Sequence, residues 1–159
     1  MKKSALLRKI IEHLTKDLAV YHKAARAAHA EATHEQSKAE NKYDTRGLEA
    51  SYLARGQSRQ AAEIVQAIEQ FEKLTLRDFQ EGDAIDLGAL VELNGRNDPS
   101  FYFIGPRAGG TEVLHEKKEV LVITPQSPLG QQLVGKKQGE RLQIEIGGSR
   151  SDYKVVSVS

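Results

Sequence analysis

From residue 4 to residue 75 the chain contains no proline and only two glycines, Gly47 and Gly56; the first proline is Pro99. Without those breakers the stretch can hold long helices, and its apolar residues decide how they pack. In the first half Leu7, Ile11, Leu14, Leu18, Tyr21, Ala25, Ala28 and Ala32 recur in alternating steps of four and three. In the second half Ala50, Ala54, Ala61, Ile64, Ile68 and Phe71 keep that alternation, with Gln57 filling one slot. These are heptad seams. Two such helices joined by a short connection pair antiparallel, so the pattern predicts a helical hairpin over residues 1–77 with its tip near 40–49.

The seam is graded. Leu, Ile and Phe stand at the ends of the helices away from the tip, and alanine takes over toward it. Burial contributes about 25 cal/mol per Å² of apolar surface, so alanine layers hold two helices together weakly while letting them approach closely. The expected result is a slender hairpin, about 45 Å long for some 30 residues per helix. A dimerisation coiled coil or a spacer would show the same pattern.

Beyond "TLRDFQEGD" (75–83) the period changes, which places a second domain at 78–159. "AIDLGALVELNG" (84–95) alternates in part and ends in Asn-Gly. "FYFIGP" (101–106), "EVLVIT" (119–124), "ERLQIEI" (140–146) and "DYKVVSV" (152–158) are short and rich in β-branched or aromatic residues. Gly147-Gly148 predicts a hairpin between the last two. One helix is expected in "SPLGQQLVGKK" (127–137), capped by Ser127, with Pro128 in its first turn and Gly135 ending it. The fold class is therefore α+β: a coiled-coil hairpin, then an antiparallel sheet covered by one short helix.

Composition removes several functions. There is no cysteine, so disulfides, thiol catalysis and cysteine-based zinc sites are excluded, and a reducing compartment fits. Residues 1–78 carry 14 Lys/Arg against 11 Asp/Glu and the rest 9 against 11, far from the basic excess of a protein held to nucleic acid by its own phosphate contacts. No apolar run suffices to span a bilayer, and "MKKSALLRKIIEHL" lacks the apolar core and cleavage site of a signal peptide; a cytoplasmic protein without membrane contact is the expectation. Of the histidines at 13, 22, 29, 34 and 115, the four on the hairpin show no metal-ligand spacing and read as solvated helix surface. No P-loop, HExxH, GxSxG or GxGxxG pattern occurs, and "PRAGG" (106–110) is followed by no helix.

What remains is the connection itself. "AENKYDTRGLEA" (39–50) carries Glu40, Asp44 and Glu49 with Lys42 and Arg46. Asp44 and Thr45 suit the cap of the second helix, and Glu49 suits its first turn. The same carboxylates, exposed on a slender tip, could instead complete the coordination of a metal held by another molecule, since Mg²⁺ often takes only one or two carboxylates from a protein.

The whole chain resembles the Gre family of bacterial transcription elongation and transcript cleavage factors. The resemblance is carried by "SPLGQQLVGKKQGERLQIEIGGSRSDYKVVSV" (127–158) and "GDAIDLGALVELNG" (82–95), with "EASYLARGQ" (49–57) resembling the start of the family's second helix. It implies an FKBP-like domain that docks on bacterial RNA polymerase, with Ser127 and Pro128 near the docking surface. It implies a hairpin that reaches through the polymerase secondary channel toward the nascent RNA 3′ end. The chain would then be a monomeric accessory factor rather than an enzyme, with no cofactor bound alone. Its tip carboxylates Asp44 and Glu49, with Glu40 in reserve, would share the Mg²⁺ of the polymerase and help hydrolyse backtracked RNA.

The tip departs from the family pattern, an Asp and a Glu three residues apart before a tyrosine. With Tyr52 taken as that tyrosine, those positions hold Thr45 and Leu48. Asp44 and Glu49 are five apart, which on a continuous helix is a rotation of about 500°. A same-fold regulator that occupies the channel without stimulating cleavage is the alternative. Two others are a peptidyl-prolyl isomerase, poorly supplied with aromatic residues for a proline pocket, and a coiled-coil adaptor.

Overall fold

The computed structural model describes residues 2–33, 46–95, 98–146 and 148–159. Two long helices, α1 (Lys3–Thr33) and α2 (Arg46–Glu72), precede six strands: β1 (Leu90–Asn94), β2 (Pro99–Ile104), β3 (Glu112–His115), β4 (Lys118–Ile123), β5 (Arg141–Ile146) and β6 (Ser149–Val158). A short helix, α3 (Pro128–Leu133), lies between β4 and β5. The expected α+β class, two helices followed by a sheet with one helix, is the observed one.

Compact units divide inside the helices. One unit joins residues 1–11 to 70–159; the other is the hairpin segment 12–69. The sequence boundary at 77/78 follows the change of hydrophobic period, whereas the ends of both helices belong to the sheet's unit.

Within 12–69 the heptad reading holds. Leu14, Ala28, Ala50 and Ala61 are buried, and Leu18, Tyr21, Ala25, Ala54, Gln57, Ile64 and Ile68 are half-buried along the expected stripes, while Ala67, one position off the expected seam, is buried beside Ile68. Near its start α1 departs from the expected seam. Leu6 and Ile10 are fully buried, while Leu7 and Ile11 are only partly covered. The reason is a different neighbour: residues 1–11 pack with the sheet's unit and turn the adjacent face inward.

The sheet has the order β3-β4-β2-β1-β6-β5. All neighbours are antiparallel except β2 and β4, which run parallel with Phe101 opposite Val120 and Ile104 opposite Ile123. The parallel pair follows from β3, which lies outside β4 at the edge, so the β3–β4 hairpin brings β4 back alongside β2. The sequence offered no strand at 112–115 because its turn lacks the usual residues. Glu116 and Lys117 both adopt positive φ, 50° and 64°, where Asn-Gly is the ordinary choice. "AIDLGALVELNG" yields a strand only from Leu90. Ahead of it, Ile85 exchanges hydrogen bonds with the segment after α3: its N–H donates to Lys136 O (2.7 Å), and its carbonyl accepts from Gly135 N (2.9 Å).

Register places a core on each face. On one, Val91 opposes Val158 and Tyr102, and Ile104 opposes Ile123; these pack with Leu93, Val155, Leu133 of α3, Leu142 and Ile144. Val158 and Val155 are three apart yet share this face because a bulge skips Val156 between the pairs Glu92–Ser157 and Leu93–Val155. On the other face Leu90 opposes Phe103, Phe103 opposes Val122, and Val120 opposes Val113. All five are buried. There Phe71 comes down on Gly105: a Cβ on that glycine would lie 2.9 Å from both Phe71 Cζ and Val122 Cγ1.

Candidate functional site

Of the tip residues singled out from the sequence, Glu40, Lys42, Asp44 and Thr45 lie outside the described residues, and so does the side chain of Arg46. Glu49 is described. It sits exposed in the first turn of α2, where a carboxylate complements the positive end of the helix dipole. The seam side of this turn is taken by Ala50 and Ala54, so Leu48 and Tyr52, four apart, share an outward face.

That outward face is unusually apolar for a helix surface. Leu48, Tyr52 and Leu53 are 53%, 59% and 55% exposed. Arg55 lies over the Tyr52 ring, 5.5 Å from its centroid, which adds a cation to the patch. Leu48 lies one residue before Glu49 on this turn.

Ser127 was expected both as a cap and as part of a docking surface. Its side chain caps α3, accepting a hydrogen bond from Gly130 N at 3.0 Å and donating one to Thr124 O at 2.7 Å. Pro128 occupies the first turn, where no N–H is required. The turn is closed around the Thr124 carbonyl: a Cβ on Gly130 would fall 1.8 Å from that oxygen. The helix ends at Leu133, two residues before the expected glycine, and Gly135 follows at φ 92°.

Two buried polar residues escaped the sequence reading. Lys3 is 8% exposed; its ammonium donates to Arg77 O and, at 3.1 Å, to Gly88 O, and lies 4.8 Å from the centre of the Phe79 ring. Burial pushes the Lys3 ammonium below its ordinary value; nearby Asp78 opposes this and Arg77 adds to it. Its only signal in sequence is its place three residues before Leu6 on the stripe that continues to Ile10. His115 is buried, and neither ring nitrogen has a hydrogen-bond partner; Nε2 is 3.9 Å from Glu116 Oε1. Alternation along β3 would have placed it inward, had the strand been recognised.

Among the described residues no group of three or more His, Cys, Asp and Glu could hold a metal. No described helix is long and apolar enough to cross a membrane.

Two long helices followed by a six-stranded sheet with a Ser-Pro helix define a two-part α+β protein. Residues 80–159 match the family model of the C-terminal region of the transcription elongation factor GreA/GreB, and the chain belongs to that family. Among solved structures it is similar to the GreA factor homolog 1 (Gfh1) protein of Thermus thermophilus, at 21% identity over 94% of both chains with a TM-score of 0.40. Thermus aquaticus Gfh1 is similar at 22% identity over 92% of both chains, TM-score 0.41. The GreA/GreB factor of Nitrosomonas europaea shares 15% identity over 70% of this chain and 92% of its own, TM-score 0.38. No curated protein matches the sequence.

Proposed function

We propose that this protein binds bacterial RNA polymerase, entering the secondary channel with its hairpin and docking through the sheet domain. The observation that carries the reading is the joining of a GreA/GreB-type domain at 80–159 to a heptad hairpin whose outer end bears exposed apolar and acidic groups. Ser127 and Pro128 are assigned to the docking side, where the capped turn would present a rigid corner. The protein acts there as a monomer and as an accessory to the hydrolytic activity of the polymerase.

In the leading form of this reading, Asp44 and Glu49, with Glu40 close by in sequence, offer carboxylate oxygens to the polymerase's Mg²⁺ near the RNA 3′ end. A divalent metal there supplies Lewis acidity and an activated water for phosphodiester cleavage. The chain's own part is to orient that water and complete the charge around the site.

A second reading has the hairpin occupy the channel without stimulating cleavage. It is favoured by Leu48, an exposed aliphatic residue on the Tyr52 face at the position where the family pattern has a carboxylate. Stalled, backtracked elongation complexes separate the two. Shortening of the RNA by wild type, lost in Asp44→Ala and Glu49→Ala, supports the first; no shortening refutes it. Displacement of a known secondary-channel factor tests polymerase binding in either case, and failure to compete refutes the proposal as a whole.

A further inference from the structure

The sheet ends in two edge strands, β3 and β5. On β3 the Leu114 carbonyl accepts from Lys9 Nζ at 3.1 Å, so a side chain of α1 occupies part of that edge. On β5 the ladder with β6 decides which groups stay free. Gly139 N donates to Val155 O (2.8 Å) and Val155 N donates to Glu140 O (2.9 Å); the register then continues through Arg141–Lys154, Leu142–Tyr153, Gln143–Asp152, Ile144–Ser151 and Glu145–Arg150. Antiparallel pairs alternate between bonded and non-bonded. Leu142 and Ile144 therefore bond to β6, whereas Arg141, Gln143 and Glu145 turn their N–H and C=O groups outward. Among the described residues nothing hydrogen-bonds to these outward groups.

The three outward residues run from cation through neutral amide to anion, and their side chains are exposed on one face of the strand. Inside the molecule the cation is poorly matched: Arg141 stands opposite Lys154, a like charge. Neither Arg141 nor Glu145 is in an ion pair among the described residues. A second β5, laid antiparallel about a two-fold axis at Gln143, answers both the backbone and the charges. Gln143 then faces Gln143 of the second copy, and Arg141 faces Glu145 of the second copy on either side of the axis. Every outward N–H and C=O meets an outward partner, the two glutamine amides can bond to each other, and Leu142 meets Ile144 of the second copy on the buried face. A slip of one residue would set outward groups against groups already bonded to β6. A slip of two would carry Arg141 or Glu145 past its counter-charge, and a parallel partner in register would bring Arg141 against its own copy.

We propose that the free protein forms a two-fold dimer by pairing β5 with β5, which joins the two sheets into one. The contact is isologous, so it closes at two copies and does not propagate. A junction of one strand with another buries little surface, and the dimer is accordingly weak and reversible, with a dissociation constant on the order of 100 µM. The proposal concerns the protein off the polymerase and does not rest on polymerase binding.

Sedimentation velocity of the full chain, from about 10 µM to about 1 mM, tests it together with hydrogen exchange at both ends of that range. A concentration-dependent shift from monomer to dimer is expected, with exchange slowed at the amides of Arg141, Gln143 and Glu145. Arg141→Glu and Glu145→Arg each put like charges together at both ends of the junction and should weaken the dimer roughly tenfold or more. Mixed in equal amounts, these two variants should associate with each other about as well as wild type does with itself, because each then supplies the charge that the other needs. Gln143→Pro removes an outward N–H that β6 does not use, so urea unfolding should show an intact fold while dimerisation is lost. The proposal is overturned by a chain that stays monomeric across the range, by variants that dimerise like wild type, or by charge variants that fail to recover on mixing. A dimer whose slowed amides lie in α1 and α2 also overturns it and assigns self-association to the helices. A wild-type monomer whose competition for polymerase is lost in Gln143→Pro overturns it in favour of a polymerase strand on this edge.

Discussion

Replacing Gly105 by alanine adds one methyl group at the place where Phe71 meets the sheet. Gly105 does not have positive φ, so alanine suits the backbone, and the loss of glycine's freedom in the unfolded chain would alone stabilise by about 0.4–1 kcal/mol. The added carbon, however, would stand 2.9 Å from Phe71 Cζ and from Val122 Cγ1, and both side chains are fully buried. Neither has free space to enter, and overpacking of this kind costs about 1–3 kcal/mol. The net expectation is a destabilisation of about 1–2 kcal/mol. In a Phe71→Leu background the obstructing ring atoms are gone and only the Val122 contact remains, so the same substitution should cost about 0.5–1 kcal/mol less than in wild type. Urea unfolding of the four proteins gives the coupling. Hydrogen exchange of the Val122 amide, which donates to Thr111 O at 2.8 Å, reports whether the loss lies in this sheet region. Equal cost in both backgrounds, or none in either, would refute the packing of Phe71 on this glycine.

Three further outcomes are expected. Ser127→Ala removes the α3 cap and should cost about 1 kcal/mol in urea unfolding, part of it regained by Ser127→Asp, which can still accept from Gly130 N. Lys3→Met leaves the Arg77 and Gly88 carbonyls without their donor and should destabilise by about 1–3 kcal/mol near neutral pH. Because the folded Lys3 value is lowered from 10.5, the unfolded chain binds the proton more readily, so this group's share of stability is full above 10.5 and falls as pH drops through the folded value. Wild-type stability should therefore gain relative to Lys3→Met as pH is raised toward 10.5. Lys117→Gly should stabilise by about 0.5–1 kcal/mol, because glycine occupies positive φ without the penalty a side chain brings; a lower unfolding midpoint would contradict this.

The legible parts of the chain were those in which a period repeats. Seven-residue spacing gave both helices and most of their facing sides from Leu14 to Phe71, and short runs of β-branched or aromatic residues between turn residues gave β2, β4, β5 and β6. Ser127, Pro128 and Gly135 marked α3, although the chain turns away two residues before the glycine. Periodicity says nothing of a residue's second neighbour, so it missed the rotation of α1 that buries Leu6 and Ile10. Turn chemistry failed at Glu116-Lys117, where surrounding structure imposes a conformation these residues do not prefer, and β3 and His115 went unread with it. Of the tip, sequence identified Glu49 and the uncharged Leu48 beside it. It did not identify the apolar face around Tyr52, because an exposed leucine and a buried one look alike until a neighbour is known.

The alanine layers of the hairpin have a consequence for how it comes apart. Between Ala61 and Ala50 the buried seam residues of α2 are alanines, with Gln57 half-buried between them. The free energy needed to open the helices locally should therefore fall residue by residue toward the connection. Amide protons read along α2 from Phe71 to Ala50 would record this as a staircase of protection, not a single plateau. On such a staircase the outer turns of α2 can fray and re-form many times within the lifetime of the folded sheet.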